Sequence, residues 1–197
     1  MNAVSRDDGV LRASILLEAA RLFAEQGYSS TSMRQVVEAC YCTKPALYYY
    51  FKSKEALFRE VIRIEMDRTS ELIQKVRSFS GSFQERLGQS VLGFFEHFLE
   101  ASVSMRLLQR MEMTPEEGMP DIEFCCGQEL HLNMVEELIS EAIASGELRQ
   151  DLDAELAAIT LDGAIRIHFQ LAMRGKALHK ERLLEAVDMI FDGIKQR

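Results

Sequence analysis

Apolar residues recur at three- and four-residue intervals along nearly the whole chain, and no strict alternation is long enough to specify a strand. The spacing predicts a first helix over 10–26, with Leu16, Ala19, Ala20 and Phe23 on one face and Gly27 as its stop. A second helix follows Ser32, with Gln35 placed three residues on to complete a capping box; it buries Met33, Val36 and Val37 and ends near Ala39. A short third helix spans Thr43 to Phe51. Thr43 is its cap, and Pro45 falls in the first turn, where a missing N–H costs little. Leu47 and Phe51 share one face, and Lys44 and Tyr48 share another. Tyr48, Tyr49 and Tyr50 surround a single turn, so a helix buried on one side leaves at least one phenol to water or a partner.

Longer helical periods follow. Ser53 caps a helix that reads on from Lys54 to about Phe79, and others are expected over 83–100 and 102–113. The segment TPEEGMP (114–120) is the clearest break. Further helices are expected over 121–145, stopped by Gly146, over 153–174, stopped by Gly175, and over 180–195. The expected fold is all-α with about nine helices. An N-terminal three-helix head over 1–51 precedes a helical body over 52–197.

Composition agrees with a helical domain. Eleven glycines and three prolines in 197 residues are too few for a many-stranded sandwich or barrel. No run of 18 apolar residues exists, so no membrane span is expected, and the opening MNAVSRDDGV lacks the apolar core of a secretory leader. Four cysteines do not make a disulfide scaffold, and a cytoplasmic location is expected. The net charge of −8 argues at first against nucleic acid, but it is unevenly spread. Residues 1–60 carry +1 and residues 61–197 carry −9, with 13 acids against 2 bases over 110–155. A phosphate-binding surface needs local positive potential, not a basic whole.

Three short helices with a tight second connection match a helix-turn-helix, whose third helix enters the major groove of duplex DNA. That helix exposes Thr43, Lys44, Pro45, Tyr48 and Tyr49, and its N-terminus has the polarity that suits a phosphate. Lys52 and Lys54 lie just beyond as further backbone contacts, which set register without reading bases. Pro45 and the Thr43 methyl suit a thymine methyl, and Lys44 can donate to guanine.

Residues 31–57, TSMRQVVEACYCTKPALYYYFKSKEAL, resemble the signature of the TetR family of bacterial transcription regulators. Thr31, Ser32, Met33, Arg34, Val36, Leu47, Tyr48, Tyr50, Phe51, Lys52, Ser53, Lys54 and Leu57 match its pattern, and Ala20, Phe23, Gly27 and Tyr28 fit its first helix. The resemblance implies that Tyr48 and Lys54 hold phosphates, that Thr31 and Thr43 do so through hydroxyl or backbone, and that Leu47 and Phe51 are head core. It implies that Tyr50 is partly packed and partly at the phosphate. Three residues depart from the pattern: Tyr41 stands at the family's turn glycine, and Cys40 and Cys42 replace the flanking alanine and valine. Either the turn takes another geometry, or Tyr41 accepts a left-handed backbone and offers its phenol to DNA.

A recognition helix this short needs a second copy, and two copies on a two-fold axis read a palindromic operator. The last two helices are the candidate homodimer interface, through Leu156, Ile159, Gly163, Ile167 and Leu171 on one and Leu183, Leu184, Val187, Ile190, Phe191 and Ile194 on the other. Gly163 in mid-helix points to a close helix approach. The middle helices could enclose a small, largely apolar effector among Phe94, Phe95, His97, Phe98, Met105, Leu108, Met111, Phe124, Gln128, His131, Met134 and His168. For each of these residues ordinary core or surface is the competing reading. The expected function is a ligand-responsive regulator, with repression as the family default, in which effector binding shifts the Lys54 helix and lowers affinity for double-stranded DNA. A redox- or metal-responsive regulator using Cys40/Cys42 or Cys125/Cys126 is the alternative. A helical enzyme or binding protein without DNA function is the other. No HExxH, Gly-rich phosphate loop or GxSxG is present, so neither catalysis nor a cofactor is expected.

Overall fold

In the computed structural model, residues 6–113, 116–121 and 127–195 are described, and they form helices joined by turns. The helices are α1 (Arg6–Gln26), α2 (Met33–Ala39), α3 (Lys44–Tyr50), α4 (Lys54–Arg77), α5 (Phe83–Glu100), α6 (Ser102–Met113), α7 (Gly127–Ser145), α8 (Ala154–Met173) and α9 (Lys180–Ile194). Short polar residues set their starts. Ser32 accepts from the Gln35 amide, and its own amide donates to Gln35 Oε1 at 2.7 Å, a reciprocal capping box. Thr43 and Asp153 cap α3 and α8 by accepting from the Ala46 and Leu156 amides, without the reciprocal bond. Glycines set three ends: Gly27, Gly146 and Gly175 follow α1, α7 and α8 at φ of 90°, 84° and 86°.

Three boundaries differ from the expected ones. α1 begins at Arg6, ahead of the first periodic apolar residue, because the polar start of the helix has no hydrophobic repeat to read. α4 stops at Arg77, and Phe79 instead closes a turn through its amide to the Val76 oxygen. Asp121 lies outside any helix; α7 begins at Gly127, and 122–126 lie outside the described residues.

Packing divides the chain into two units. The first takes α1, α2, α3, α4 as far as Asp67, and α6. The second takes α4 from Arg68, then α5, α7, α8 and α9. The sequence reading drew its functional boundary at residue 51, whereas this packing boundary falls inside α4.

The first unit buries Ile15, Ala19, Phe23, Val36, Leu47, Phe51, Leu57, Phe58 and Ile62, and α6 packs on α1 with Leu107 and Met111 inward. Phe58 lies edge-on to Phe23 and Tyr28 at 4.9 and 4.8 Å between ring centres. The second unit is built on α7 against α8 and α5 against α9, with Val91, Met134, Leu138, Ile139, Leu161, Ile165, Leu183 and Val187 in its core. Glu147 accepts from the free Phe83 amide at 2.7 Å and so closes the N-terminus of α5.

Candidate nucleic-acid interface

The first unit fixes α3 from below. Leu47 is fully buried, Phe51 is nearly so, and the Arg12 guanidinium lies over the Phe51 ring while it pairs with Glu60 of α4. The opposite side of α3 is left to solvent. Thr43, Lys44, Pro45 and Tyr49 are exposed, and Tyr48 is half-buried. Lys44 Nζ sits 5.8 Å from the Tyr48 ring centre, and Tyr49 packs edge-on to Tyr50. Lys52 is exposed and donates to the Tyr48 oxygen at 3.1 Å, so its ammonium is held at the end of α3. These residues form one continuous polar and aromatic surface around a short rigid helix.

Two residues that the resemblance assigns to phosphate are turned inward. Thr31 is 2 % exposed, and its hydroxyl donates to the Gly27 oxygen at 2.7 Å, closing the turn between α1 and α2. Lys54 is half-buried and donates to the Tyr28 oxygen at 2.8 Å. Both spend hydrogen bonds on the scaffold.

Between α2 and α3 the chain passes through Cys40, Tyr41 and Cys42. Tyr41 takes the left-handed conformation at φ 51°, the one non-glycine residue among those described to do so. The expected alternative of a different turn geometry therefore does not occur. Cys40 is half-buried with Sγ 3.7 Å from the Ser14 oxygen, and burial pushes its thiol up to about 11. Burial raises the Cys42 thiol as well. Cys125 and Cys126 lie outside the described residues. Among those described, no three His, Cys, Asp or Glu side chains gather as a metal site.

Sequence reasoning missed the residue that braces this head from beyond the end of α6. Glu116 accepts from the Ser29 amide at 2.9 Å and from Arg110 Nε at 3.0 Å, and Ser29 Oγ donates to the Glu117 oxygen. A Cβ at Gly27 would lie 2.0 Å from Glu116 Oε1, so the glycine leaves room for this carboxylate. Burial pushes the Glu116 carboxyl up, but the Ser29 amide and Arg110 outweigh it and hold the group below its ordinary value. Phe23, Tyr28, Phe58, Leu107, Arg110, Met111, Glu116 and Met119 line a small cleft beside it.

The expected effector residues separate. Met105, Leu108 and Met111 belong to the first unit, and Phe94, Phe95, His97, Phe98, His131, Met134 and His168 to the second. Phe124 lies outside the described residues, as does the side chain of Gln128. In the second unit Met134 is fully buried core, while His131 forms a polar centre. His131 Nδ1 lies 3.0 Å from the Asp162 carboxylate, which also pairs with Arg166 at 3.3 Å. Asp162 is 7 % exposed, and its carboxylate meets these two partners within an otherwise apolar unit. Phe94 meets the His131 ring edge-on at 4.3 Å, and Phe98 meets Phe169 at 5.2 Å.

On α8, Leu156, Ile159, Gly163, Ile167 and Leu171 form an exposed stripe. Apart from the backbone of its own helix, no described residue lies within 4 Å of a Cβ at Gly163. On α9, Leu183 and Val187 are buried within the unit itself, and Leu184, Ile190, Phe191 and Ile194 are partly covered.

A family model described as bacterial regulatory proteins, tetR family, matches residues 15–61. The chain is 33% identical over 95 residues to the HTH-type transcriptional regulator YuxN of Bacillus subtilis, a match over 47% of this chain and 33% of that protein. It is 27% identical over 146 residues to the HTH-type transcriptional repressor KstR2 of Mycolicibacterium smegmatis, over 74% of this chain and 71% of the relative. The solved ketosteroid transcriptional regulator KstR2 of Mycobacterium tuberculosis superposes with a TM-score of 0.73 at 21% identity, over 100% of this chain and 98% of that one. At that identity the likeness speaks for the fold.

Proposed function

We propose that the chain is a TetR-family helix-turn-helix regulator, a ligand-responsive repressor that binds a palindromic operator as a homodimer. The observation that carries the reading is the outer face of α3. A helix pinned by Leu47 and Phe51 presents Lys44, Pro45, Tyr48 and Tyr49 outward from a head of otherwise ordinary packing. Lys44, Pro45 and Thr43 face the bases, and Tyr48, Tyr49 and Lys52 face phosphates. The acid-rich body keeps DNA to the head.

The α8 stripe supports an isologous dimer, because a row of large apolar side chains on a 20-residue helix is left exposed by the described residues. Leu183 and Val187 support the protomer core beneath it. The effector is small and largely apolar, with one hydrogen-bonding group for the His131–Asp162 pair among Phe94, Phe98 and Phe169. The similar solved structure named for ketosteroid regulation is consistent with an effector of that kind. α4 is the covalent link between the two units, and effector-induced displacement of α4 lowers DNA affinity.

The test is selection of duplexes from a random library by the wild-type chain, followed by affinity measurements on the enriched sequence across salt concentrations. Enrichment of a palindrome, with a salt slope reduced by about one in Lys52→Ala, supports the reading. A chain that enriches no sequence overturns it.

A further inference from the structure

We propose that Tyr41 is a DNA-contacting residue whose hydroxyl donates to a backbone phosphate of the operator. The inference rests on the DNA-binding reading above and adds to it a residue that lies outside α3. Tyr41 is 98 % exposed, while its backbone is held at φ 51°. A side chain in the left-handed region costs free energy that glycine or asparagine would not incur. Among the described residues no side-chain contact of Tyr41 offsets that cost. The ring takes part in no aromatic pair, and the hydroxyl has no hydrogen-bond partner among the described residues. Outliers of this kind point to use outside the fold.

The turn is rigid at both ends. The Tyr41 amide donates to the Glu38 oxygen, the Cys42 amide donates to the Val37 oxygen, and Thr43 caps α3. The exposed phenol thus has a fixed root two residues before the cap and continues the surface formed by Thr43, Lys44 and Pro45. The helix ahead of the turn crosses the DNA backbone in this docking mode, while α3 lies in the groove, so the turn meets the strand between them. A neutral phenol with one O–H fits a phosphate oxygen there and reads no base.

The experiment uses the full chain, the duplex enriched by the wild type, and variants Tyr41→Phe and Tyr41→Gly. Both variants are expected to bind at least about tenfold more weakly, the loss of one hydrogen bond to a charged group. The salt slope stays unchanged, because no cation is removed. Tyr41→Gly melts no lower than the wild type, since glycine accepts the same backbone. Single base-pair changes in the duplex weaken the wild type and both variants by equal factors. The inference is overturned if Tyr41→Gly binds as the wild type does, if it melts lower, if Tyr41→Phe keeps full affinity, or if discrimination at one base pair is lost. If the wild type enriches no duplex, the regulator reading fails and takes this inference with it; unaltered affinity in a binding-competent Tyr41→Gly removes this inference alone.

Discussion

Lys54 Nζ donates to the backbone oxygen of Tyr28 at 2.8 Å and lies 4.2 Å from the centre of the Tyr28 ring. The first residue of α4 is thereby tied to the exit of α1, across 26 positions of sequence. Tyr28 in turn packs on Phe58, so the tie sits against the aromatic centre of the head. A lysine that the family pattern assigns to phosphate has a structural use of its own.

Lys54→Met should therefore lower stability, by about 1–3 kcal/mol for a charge-assisted hydrogen bond and a ring contact. Lys44→Ala should leave stability unchanged, because Lys44 is exposed and, among the described residues, only lies over the face of Tyr48. Urea unfolding of the two variants separates the roles. A Lys54→Met chain as stable as the wild type would show that the tie contributes nothing in solution. Any loss of DNA affinity in that variant must be read against its loss of fold.

Glu116 makes the brace between α6 and the turn after α1 depend on pH. Its carboxyl is held below the ordinary value in the folded chain, so its contribution is fully present above the unfolded value and is lost as pH falls through the folded one. Glu116→Gln should melt below the wild type at pH 6, and the gap should narrow as the pH drops below about 4.5. Thermal melts of both proteins across that range test it; a gap independent of pH would assign the brace to shape instead of charge.

The helix signals were legible because they are local. Ser32 with Gln35, Thr43 ahead of Pro45, and Gly27, Gly146 and Gly175 each act within four residues, and the structure uses them as read. The exposed face of α3 was legible for the same reason. Lys54, Thr31 and Glu116 were not. Each is placed by a partner set by tertiary packing, and the Glu116–Ser29 contact spans 87 positions. No periodicity in α6 says that it packs on α1. The turn at Tyr41 lay between these cases: its strain was readable from residue type, but which way the strain was resolved needed backbone geometry.

Cys40 should be slow to react. Its thiol is raised to about 11, chiefly by burial, so little thiolate forms near neutrality. In a Cys42→Ser, Cys125→Ser, Cys126→Ser background, alkylation at pH 7.5 should be far slower in the folded chain than in urea. The raised value also stabilises the fold below the unfolded thiol value of about 9, and that contribution should fade as pH rises toward 11. Fast alkylation of the folded chain at pH 7.5 would instead favour the thiol-sensing alternative.

Gly163 offers a test of the dimer that the chain's own packing does not confuse. Glycine in a helix interior costs about 1 kcal/mol relative to alanine, and within the protomer nothing lies near enough to require it. A symmetric partner crossing over the stripe of Leu156, Ile159, Ile167 and Leu171 would require it, because only a residue without Cβ lets two helices approach closely there. Gly163→Leu should then raise the dimer dissociation constant by tenfold or more, roughly 1.4 kcal/mol or above, while the isolated protomer keeps its helicity. Ile167→Asp should weaken association further, since it places a charge in the same apolar contact. Sedimentation equilibrium over a range of concentrations measures both. If neither substitution shifts the monomer–dimer balance, the α8 stripe is not the interface, and the close approach inferred from Gly163 fails with it.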